Sequence, residues 1–166
     1  ANGYGKLETD QYVYDGEWKG GKPNGRGKIQ YRNGTICAGQ FVNGLPVGMC
    51  RLEDATGFTY NGGFVDGLFE GHGEATWADG KRYMGEFKAG KYDGEGEYNW
   101  PDGRIYQGSY KDGKRHGQGA ILTPTGQKIE GRWVNGNLDG NVNVLQNKNS
   151  ITQGKIVSGN FVPNRV

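Results

Sequence analysis

A period of 23 residues, which runs through almost the whole chain, constrains the fold more than any other feature. A glycine recurs at every step of that period: Gly16, Gly39, Gly62, Gly85, Gly108, Gly131 and Gly154. The position two residues earlier holds Tyr14, Cys37, Tyr60, Tyr83, Tyr106, Ile129 and Thr152. The position two residues later holds Trp18, Phe41, Phe64, Phe87, Tyr110, Trp133 and Ile156. Such a period is typical of stacked units, each of which buries its apolar face against its neighbours.

Each period predicts a β-hairpin. In the first strand, side chains two residues apart share a face, so the aromatic–x–Gly–x–aromatic segment places both rings together. We expect Trp18, Phe64, Phe87, Tyr110 and Trp133 to form one ladder. The second strand has the same alternation, as in Tyr98 and Trp100. The pairs Asn33-Gly34, Asp79-Gly80 and Asp102-Gly103 predict tight two-residue turns. The stretch from Gly90 to Gly96 indicates a longer glycine-rich loop.

Composition supports this interpretation. Glycine makes up 33 of 166 residues, against a usual ~7%, and aromatic residues make up 12%. Collagen would need glycine at every third position, and glycine-rich disorder would lack the rings. The 20 basic and 18 acidic residues are interspersed, which gives no footprint for nucleic acid. No apolar run reaches the ~18 residues of a membrane span. Two cysteines fit a reducing cytoplasm better than a disulfide framework.

The sequence therefore predicts an all-β fold: an elongated, single-layer antiparallel sheet of tandem 23-residue β-hairpin repeats, a solenoid-like ribbon without helices. Residues 1–166 form one array. Its full repeats are 14–36, 37–59, 60–82, 83–105, 106–128 and 129–151, with partial repeats at 1–13 and 152–166. Because Gly3-x-Gly5 matches the second half of a hairpin, we expect a piece of a longer chain. Val142, Asn149 and Pro163 interrupt the pattern, which indicates a capping repeat.

The pattern Tyr-x-Gly-x-Trp/Phe, then Gly, Gly-x-Gly and Asp-Gly, resembles the MORN repeat family (membrane occupation and recognition nexus). Repeats three to five match best, whereas Cys37, Cys50, Ile129 and the last repeat depart from it. The family's arrays occur in junctional-membrane proteins, cytoskeletal scaffolds and lipid kinases. The resemblance thus implies an interaction module in the cytoplasm, associated with the cytoskeleton or the cytoplasmic face of a membrane.

No catalytic or metal-binding constellation is apparent in the sequence. His72 and His116 occupy different repeat positions, nearly two repeats apart. The Gly-x-Gly doublets are not followed by a helix, which a phosphate-binding loop requires. Cys37, Cys50 and the histidines lack metal-ligand spacing. We therefore expect no enzyme activity and no cofactor. The sequence does not decide whether two chains share a zinc ion.

Two surfaces are predicted to bind a protein partner, a helix or a peptide: the aromatic-lined face and an edge of loop tips. The edge comprises Leu45-Pro46-Val47, Leu68-Phe69 and Tyr92; the alternative is that these loops fold back over the sheet. The predicted partner-binding residues are Trp18, Phe41, Phe64, Leu68, Phe69, Trp77, Phe87, Tyr92, Trp100 and Tyr110.

An anionic phospholipid or phosphoinositide surface is the alternative partner. Its predicted site is a basic segment formed by Arg104, Lys111, Lys114, Arg115, Lys128 and Arg132. At ~1 kcal/mol per basic residue near an anionic leaflet, such contact would be weak and salt-sensitive. A solvated charged face is the simpler interpretation. Unpaired strands at the degenerate C-terminal repeat leave self-association into a homodimer open as a third possibility.

The two cysteines give a sharp expectation. If Cys37 begins the first strand of its repeat and Cys50 begins the second, they lie at opposite ends of the hairpin. A separation of roughly 15 Å follows from ~3.3 Å per residue, and a disulfide needs Cα atoms within ~7 Å. Both thiols should be free.

Overall fold

The computed structural model of the chain describes residues 2–147 and 150–165. The predicted loss of a turn glycine at Asn149 lies outside the described residues. Those residues contain no helix, and so none that could span a membrane. They form 15 strands: β1 Gly3–Glu8, β2 Tyr12–Lys19, β3 Lys22–Tyr31, β4 Ile36–Val42, β5 Leu45–Glu53, β6 Thr59–Val65, β7 Leu68–Thr76, β8 Arg82–Lys88, β9 Lys91–Asn99, β10 Ile105–Lys111, β11 Lys114–Leu122, β12 Lys128–Val134, β13 Asn137–Asn147, β14 Ser150–Val157 and β15 Asn160–Pro163.

The strands follow one another in chain order within one open antiparallel sheet. The predicted all-β sheet of tandem hairpins is confirmed. Two compact units can be distinguished. Unit 1 comprises Ala1–Asp79 and Phe87–Gly90, and unit 2 comprises Gly80–Glu86 and Lys91–Val166.

The tight turns do not lie at the predicted Asn-Gly and Asp-Gly pairs but at the opposite ends of the strands. Two consecutive residues with positive φ, the signature of a type I′ turn, occur at Gly20-Gly21, Asn43-Gly44, Asp66-Gly67, Ala89-Gly90, Asp112-Gly113, Asn135-Gly136 and Ser158-Gly159. The stretch Gly90–Gly96 is therefore a turn residue followed by most of β9, and not a loop.

The predicted two-residue turns are longer connections. At Asn33-Gly34, Asp79-Gly80 and Asp102-Gly103 only the glycine has positive φ. The Asn33 side chain accepts a hydrogen bond from Thr35 N at 2.9 Å, and the Asp102 side chain accepts one from Arg104 N at 3.0 Å. Both hydrogen bonds close an Asx-turn, which the same Asn/Asp-Gly pair forms as readily as a type I′ turn. The dipeptide alone therefore could not assign the turn.

A buried tyrosine forms the centre of four of the repeats. Tyr14, Tyr60, Tyr83 and Tyr106 are fully buried. Each hydroxyl donates to the backbone carbonyl three residues ahead, at 2.8 Å. The ring lies over a cross-strand glycine pair of its own hairpin. A Cβ at Gly96 would stand 2.4 Å from Tyr83 Oη, and one at Gly73 would stand 2.5 Å from the Tyr60 ring. Glycine is needed there because the ring occupies the space of any side chain.

The predicted aromatic ladder is confirmed on the same face. Phe64, Phe87, Tyr110 and Trp133 are buried, as is Phe41, while Trp18 is half-buried. Phe64 and Trp18 pack edge-on against the tyrosine of their own repeat. Phe41, Phe87, Tyr110 and Trp133 pack edge-on against the tyrosine of the preceding repeat, for example Phe87 on Tyr60 at 5.2 Å and Trp133 on Tyr106 at 5.4 Å. These edge-to-face contacts, a favourable geometry for aromatic pairs, join neighbouring hairpins within each unit.

In repeat two, the two cysteines stand where other repeats have a tyrosine and a glycine. Cys37 occupies the tyrosine position, and Cys50 pairs with Gly39 where other repeats have the second glycine. Both are buried and free. The Cys50 thiol donates to Gln40 O and Val47 O, both at 3.4 Å. Burial, with a smaller effect of the neighbouring Cys50 thiol, raises the pKa of Cys37 to about 12.

The free thiols agree with the prediction, but the predicted 15 Å separation is wrong. Cys50 lies in the middle of β5, because that strand begins at Leu45 directly after the tight turn. The register therefore brings the two side chains together.

We expect alkaline pH to destabilise the fold. Burial raises the pKa of Tyr60 and of Tyr106 to about 12, against ~10 in an unfolded chain. Because the folded-state pKa is the higher one, this stabilisation is complete below pH ~10 and is lost as pH rises through about 12. The melting temperature should stay constant up to pH ~10 and then fall. A constant melting temperature while phenolate absorbance develops would contradict this.

Candidate functional site

Half-buried rings line the aromatic face of unit 1. Phe58, Phe69 and Trp77, here called the unit 1 ring cluster, lie on the same face as Tyr60. Phe69 stacks on Tyr60 with centroids 3.8 Å apart, and Phe58 lies 5.3 Å from Trp77 and 6.3 Å from Phe69. Phe58 is held by the connection before β6, where its N–H donates to Asp54 Oδ1 at 3.1 Å. The buried ladder thus supports a second layer of rings that remains partly open to solvent.

Unit 2 carries a similar cluster with two arginines. Tyr92 stacks on Tyr83 at 4.1 Å, and Tyr98 lies 4.8 Å from Trp100. We call Tyr92, Tyr98 and Trp100 the unit 2 ring cluster. The guanidinium groups of Arg104 and Arg115 lie 5.2 Å and 5.9 Å from the Trp100 ring centre. This surface therefore combines apolar rings with positive charge.

Arg115 occupies the position that Phe69 and Tyr92 hold in their repeats, two residues after the tight turn. It pairs with Tyr110 across the hairpin, lies 4.3 Å over the Trp133 ring and donates to Gly136 O at 3.1 Å. Burial lowers its pKa. A guanidinium replaces a stacked ring there because both are planar and pack on an aromatic face.

The ten predicted partner-binding residues divide into three groups. Phe41, Phe64, Phe87 and Tyr110 are buried, so they stabilise the sheet and present almost no surface. Leu68 lies on the opposite face. The remaining residues are half-buried on the aromatic face: Trp18, Phe69, Trp77, Tyr92 and Trp100.

The predicted partner-binding residues do not include Phe58 or Tyr98, although the alternation of the second strand already placed Tyr98 with Trp100. Both lie two residues from a ring of the same face, Phe58 before Tyr60 and Tyr98 before Trp100. The period-two alternation that predicted the strands could have added both residues to that set.

The predicted edge of loop tips is wrong in two respects. Leu45, Leu68 and Tyr92 belong to the starts of β5, β7 and β9. Neighbouring residues of a strand also point to opposite faces. Phe69 pairs with Phe64 on the aromatic face, whereas Leu68 pairs with Val65 on the other. Leu45 likewise pairs with Val42. Val42, Leu45, Val65 and Leu68 are each about half exposed and form a separate surface, here called the turn edge.

The predicted basic segment is not one positive surface. Arg104 pairs with Asp102 at 2.8 Å, Lys128 pairs with Glu130, and Arg132 pairs with Asp139. Arg115 is engaged on the aromatic face. Lys111 and Lys114 are exposed and face each other across a tight turn. Nearby carboxylates thus offset half of the predicted positive side chains.

Residues 2–147 and 150–165 contain no group of three metal-ligating side chains. Among the buried polar atoms of this part of the chain, Trp133 Nε1 has no hydrogen-bond partner. The equivalent atom of Trp18 donates to Gly5 O at 3.0 Å. The aromatic face therefore offers ring surfaces and guanidinium groups.

Comparison with known families gives a match over more than half of the chain. The family described as MORN repeat matches residues 14–36, 37–59, 60–82, 83–103 and 106–128. A search of curated proteins found no significant match.

Proposed function

Because the chain belongs to the MORN repeat family, we propose that it is a non-catalytic scaffold that binds a protein segment along its two ring clusters. The observation that carries this proposal is the layer of half-buried rings stacked on buried tyrosines. Phe69 and Tyr92 are held by stacking at 3.8 Å and 4.1 Å, so they have little rotamer freedom left to lose on binding. Preordered aromatic side chains are the residues that contribute most to protein interfaces.

The chemistry of the clusters suggests what the partner presents. The unit 1 ring cluster accepts apolar side chains. Arg104 and Arg115 beside Trp100 add charge in unit 2, so an acidic side chain suits that cluster. A helix or a peptide with apolar residues and a carboxylate therefore fits this face.

Selection from a peptide library tests the proposal. Peptides selected on the wild-type chain should lose at least tenfold in affinity for Phe58→Ser/Trp77→Ser, because that variant removes two of the three rings of the unit 1 ring cluster. The matched control is Met49→Ser, since Met49 is exposed on the opposite face. Equal binding to all three chains would refute the assignment of this face.

An anionic membrane is the second candidate partner. The observation in its favour is the exposed pair Lys111 and Lys114, which face each other across a tight turn. Because ion pairs offset half of the positive side chains of the basic segment, we expect marginal co-sedimentation with phosphatidylserine or phosphoinositide vesicles at physiological salt. Saturable binding that is lost in Lys111→Gln/Lys114→Gln would favour the membrane over the protein partner.

We also propose self-association through the C-terminal strands and a cytoplasmic location. Exposed apolar side chains on β14 and β15 support the first: Ile151, Val157, Phe161 and Val162. Sedimentation velocity should show a dimer that Ile151→Ser/Val157→Ser dissociates. A monomer at every concentration tested would refute it.

A further inference from the structure

The turn edge of unit 1 is an apolar surface that the hairpin itself does not need. In repeats two and three, the residues on either side of the tight turn are Val42 with Leu45 and Val65 with Leu68. In repeats one and five the same two positions hold Lys19 with Lys22 and Lys111 with Lys114. The same turn thus forms with lysines at these positions. The fold therefore does not require Val and Leu there.

The apolar side chains of the turn edge form one continuous strip. A Cβ atom added to Gly67 would lie 3.4 Å from Leu45 Cδ2. A Cβ atom added to Gly90 would lie 3.9 Å from Leu68 Cδ2. Each leucine therefore leans across the next turn. Backbone hydrogen bonds tie a turn to the preceding hairpin, from Gly44 N to Pro23 O in β3 and from Gly90 N to Phe69 O in β7, both at 2.9 Å. Successive turns are two strands apart, which is ~10 Å.

Basic side chains flank this strip on both sides. Lys19 and Lys22 lie at the turn before it, and Lys88 lies at the turn after it; all three are exposed. Two acidic residues also lie here: Asp66 at the tip of the turn between Val65 and Leu68, and Glu70, whose carboxylate accepts a hydrogen bond from Ala89 N of the next turn at 2.9 Å. Four successive turns of unit 1 thus carry lysine at the first, apolar side chains at the second and third, and lysine at the fourth, with ~10 Å between neighbouring turns.

We propose that the turn edge binds an acidic segment whose central apolar side chains are flanked by carboxylates. Apolar residues seven apart on a helix are separated by ~10 Å, which matches the spacing of Leu45 and Leu68. Glu or Asp about seven residues further out on each side then meets the lysines. The site is distinct from the ring clusters, because it lies on the opposite face.

Two other occupants fit less well. A second copy of this edge, packed by two-fold symmetry, would bring the lysines of one chain against those of the other. A membrane would first meet the turn tips, which carry Asn43 and Asp66, and the Asp66 carboxylate is repelled by anionic lipid.

Two labelled helical peptides of about 20 residues test the proposal by fluorescence anisotropy. Both carry leucines seven apart; one is flanked by glutamates and the other by lysines. We expect the glutamate peptide to bind at least tenfold more tightly and to weaken with salt. The variant Val42→Lys/Leu45→Lys/Val65→Lys/Leu68→Lys should lose at least tenfold of that affinity. Its melting temperature should stay close to that of the wild type, because other repeats carry these lysines.

Controls separate this surface from the proposed function. Met49→Lys and Phe58→Ser/Trp77→Ser should bind the glutamate peptide like the wild type. Equal affinity for both peptides, no binding, or unchanged binding by the fourfold lysine variant would each overturn the proposal. So would a dimer, or binding to phosphatidylserine vesicles, that the same variant abolishes.

Discussion

Gly96→Cys is expected to lower the free energy of unfolding by about 3 kcal/mol, the upper part of the range for overpacking a core. A Cβ at this position would stand 2.4 Å from Tyr83 Oη and 2.6 Å from Tyr83 Cε2. The ring cannot move away easily, because it stacks on Tyr92 and its hydroxyl donates to Glu86 O. Urea denaturation followed by circular dichroism measures the loss.

The chain itself indicates the compensating change. Repeat two has Cys37 and Cys50 where other repeats have tyrosine and glycine, so the smaller first residue leaves room for the second. We expect Tyr83→Cys alone to cost about 3–5 kcal/mol through the cavity it leaves. The double variant should cost at least ~1 kcal/mol less than the sum of the two single losses. If the two single losses of unfolding free energy simply add in the double variant, the Tyr83 ring and a side chain at position 96 do not compete for the same volume.

Phe87→Ala is expected to cost about 3 kcal/mol, because the ring is buried and joins two repeats. Its contacts in unit 1 are edge-on to Tyr60 at 5.2 Å and to Phe69 at 5.6 Å. The melting temperature should fall by roughly 10 °C, at about 2–4 °C per kcal/mol for a chain of this size. Lys88→Ala, at the exposed next residue, is the matched control and should change little. A loss below ~1 kcal/mol for Phe87→Ala would place the ring in solvent.

The repeat period predicted most of the fold, because a fixed register forces equivalent residues into equivalent strands. The strands that contain Tyr60, Tyr83 and Tyr106 and the ladder at Phe64, Phe87 and Tyr110 follow from it directly. The identity of the tight turn did not follow. Asn33-Gly34 and Asn43-Gly44 read alike, and only the backbone shows that Asn43 has positive φ whereas Asn33 closes an Asx-turn.

The misplaced turn explains two further errors. With the turn placed at the wrong end of the hairpin, Cys50 was expected at the start of a strand instead of its middle. Leu68 and Phe69 were expected together on a loop, although they are strand neighbours on opposite faces. The candidate site was predicted less well than the fold, because sequence does not separate a fully buried ring such as Phe64 from a half-buried one such as Trp77. The ion pairs of Arg104 and Arg132 with nearby carboxylates also depend on side-chain geometry.

Photo-crosslinking in living cells tests the central claim, that the open rings of the aromatic face bind a protein segment. p-Benzoylphenylalanine is placed at Phe58, and in a separate protein at Met49 on the opposite face. We expect a discrete protein adduct from position 58 that does not form from position 49 and that Trp77→Ser diminishes. Adducts of equal intensity from both positions, or adducts with lipid alone from position 58, would contradict it.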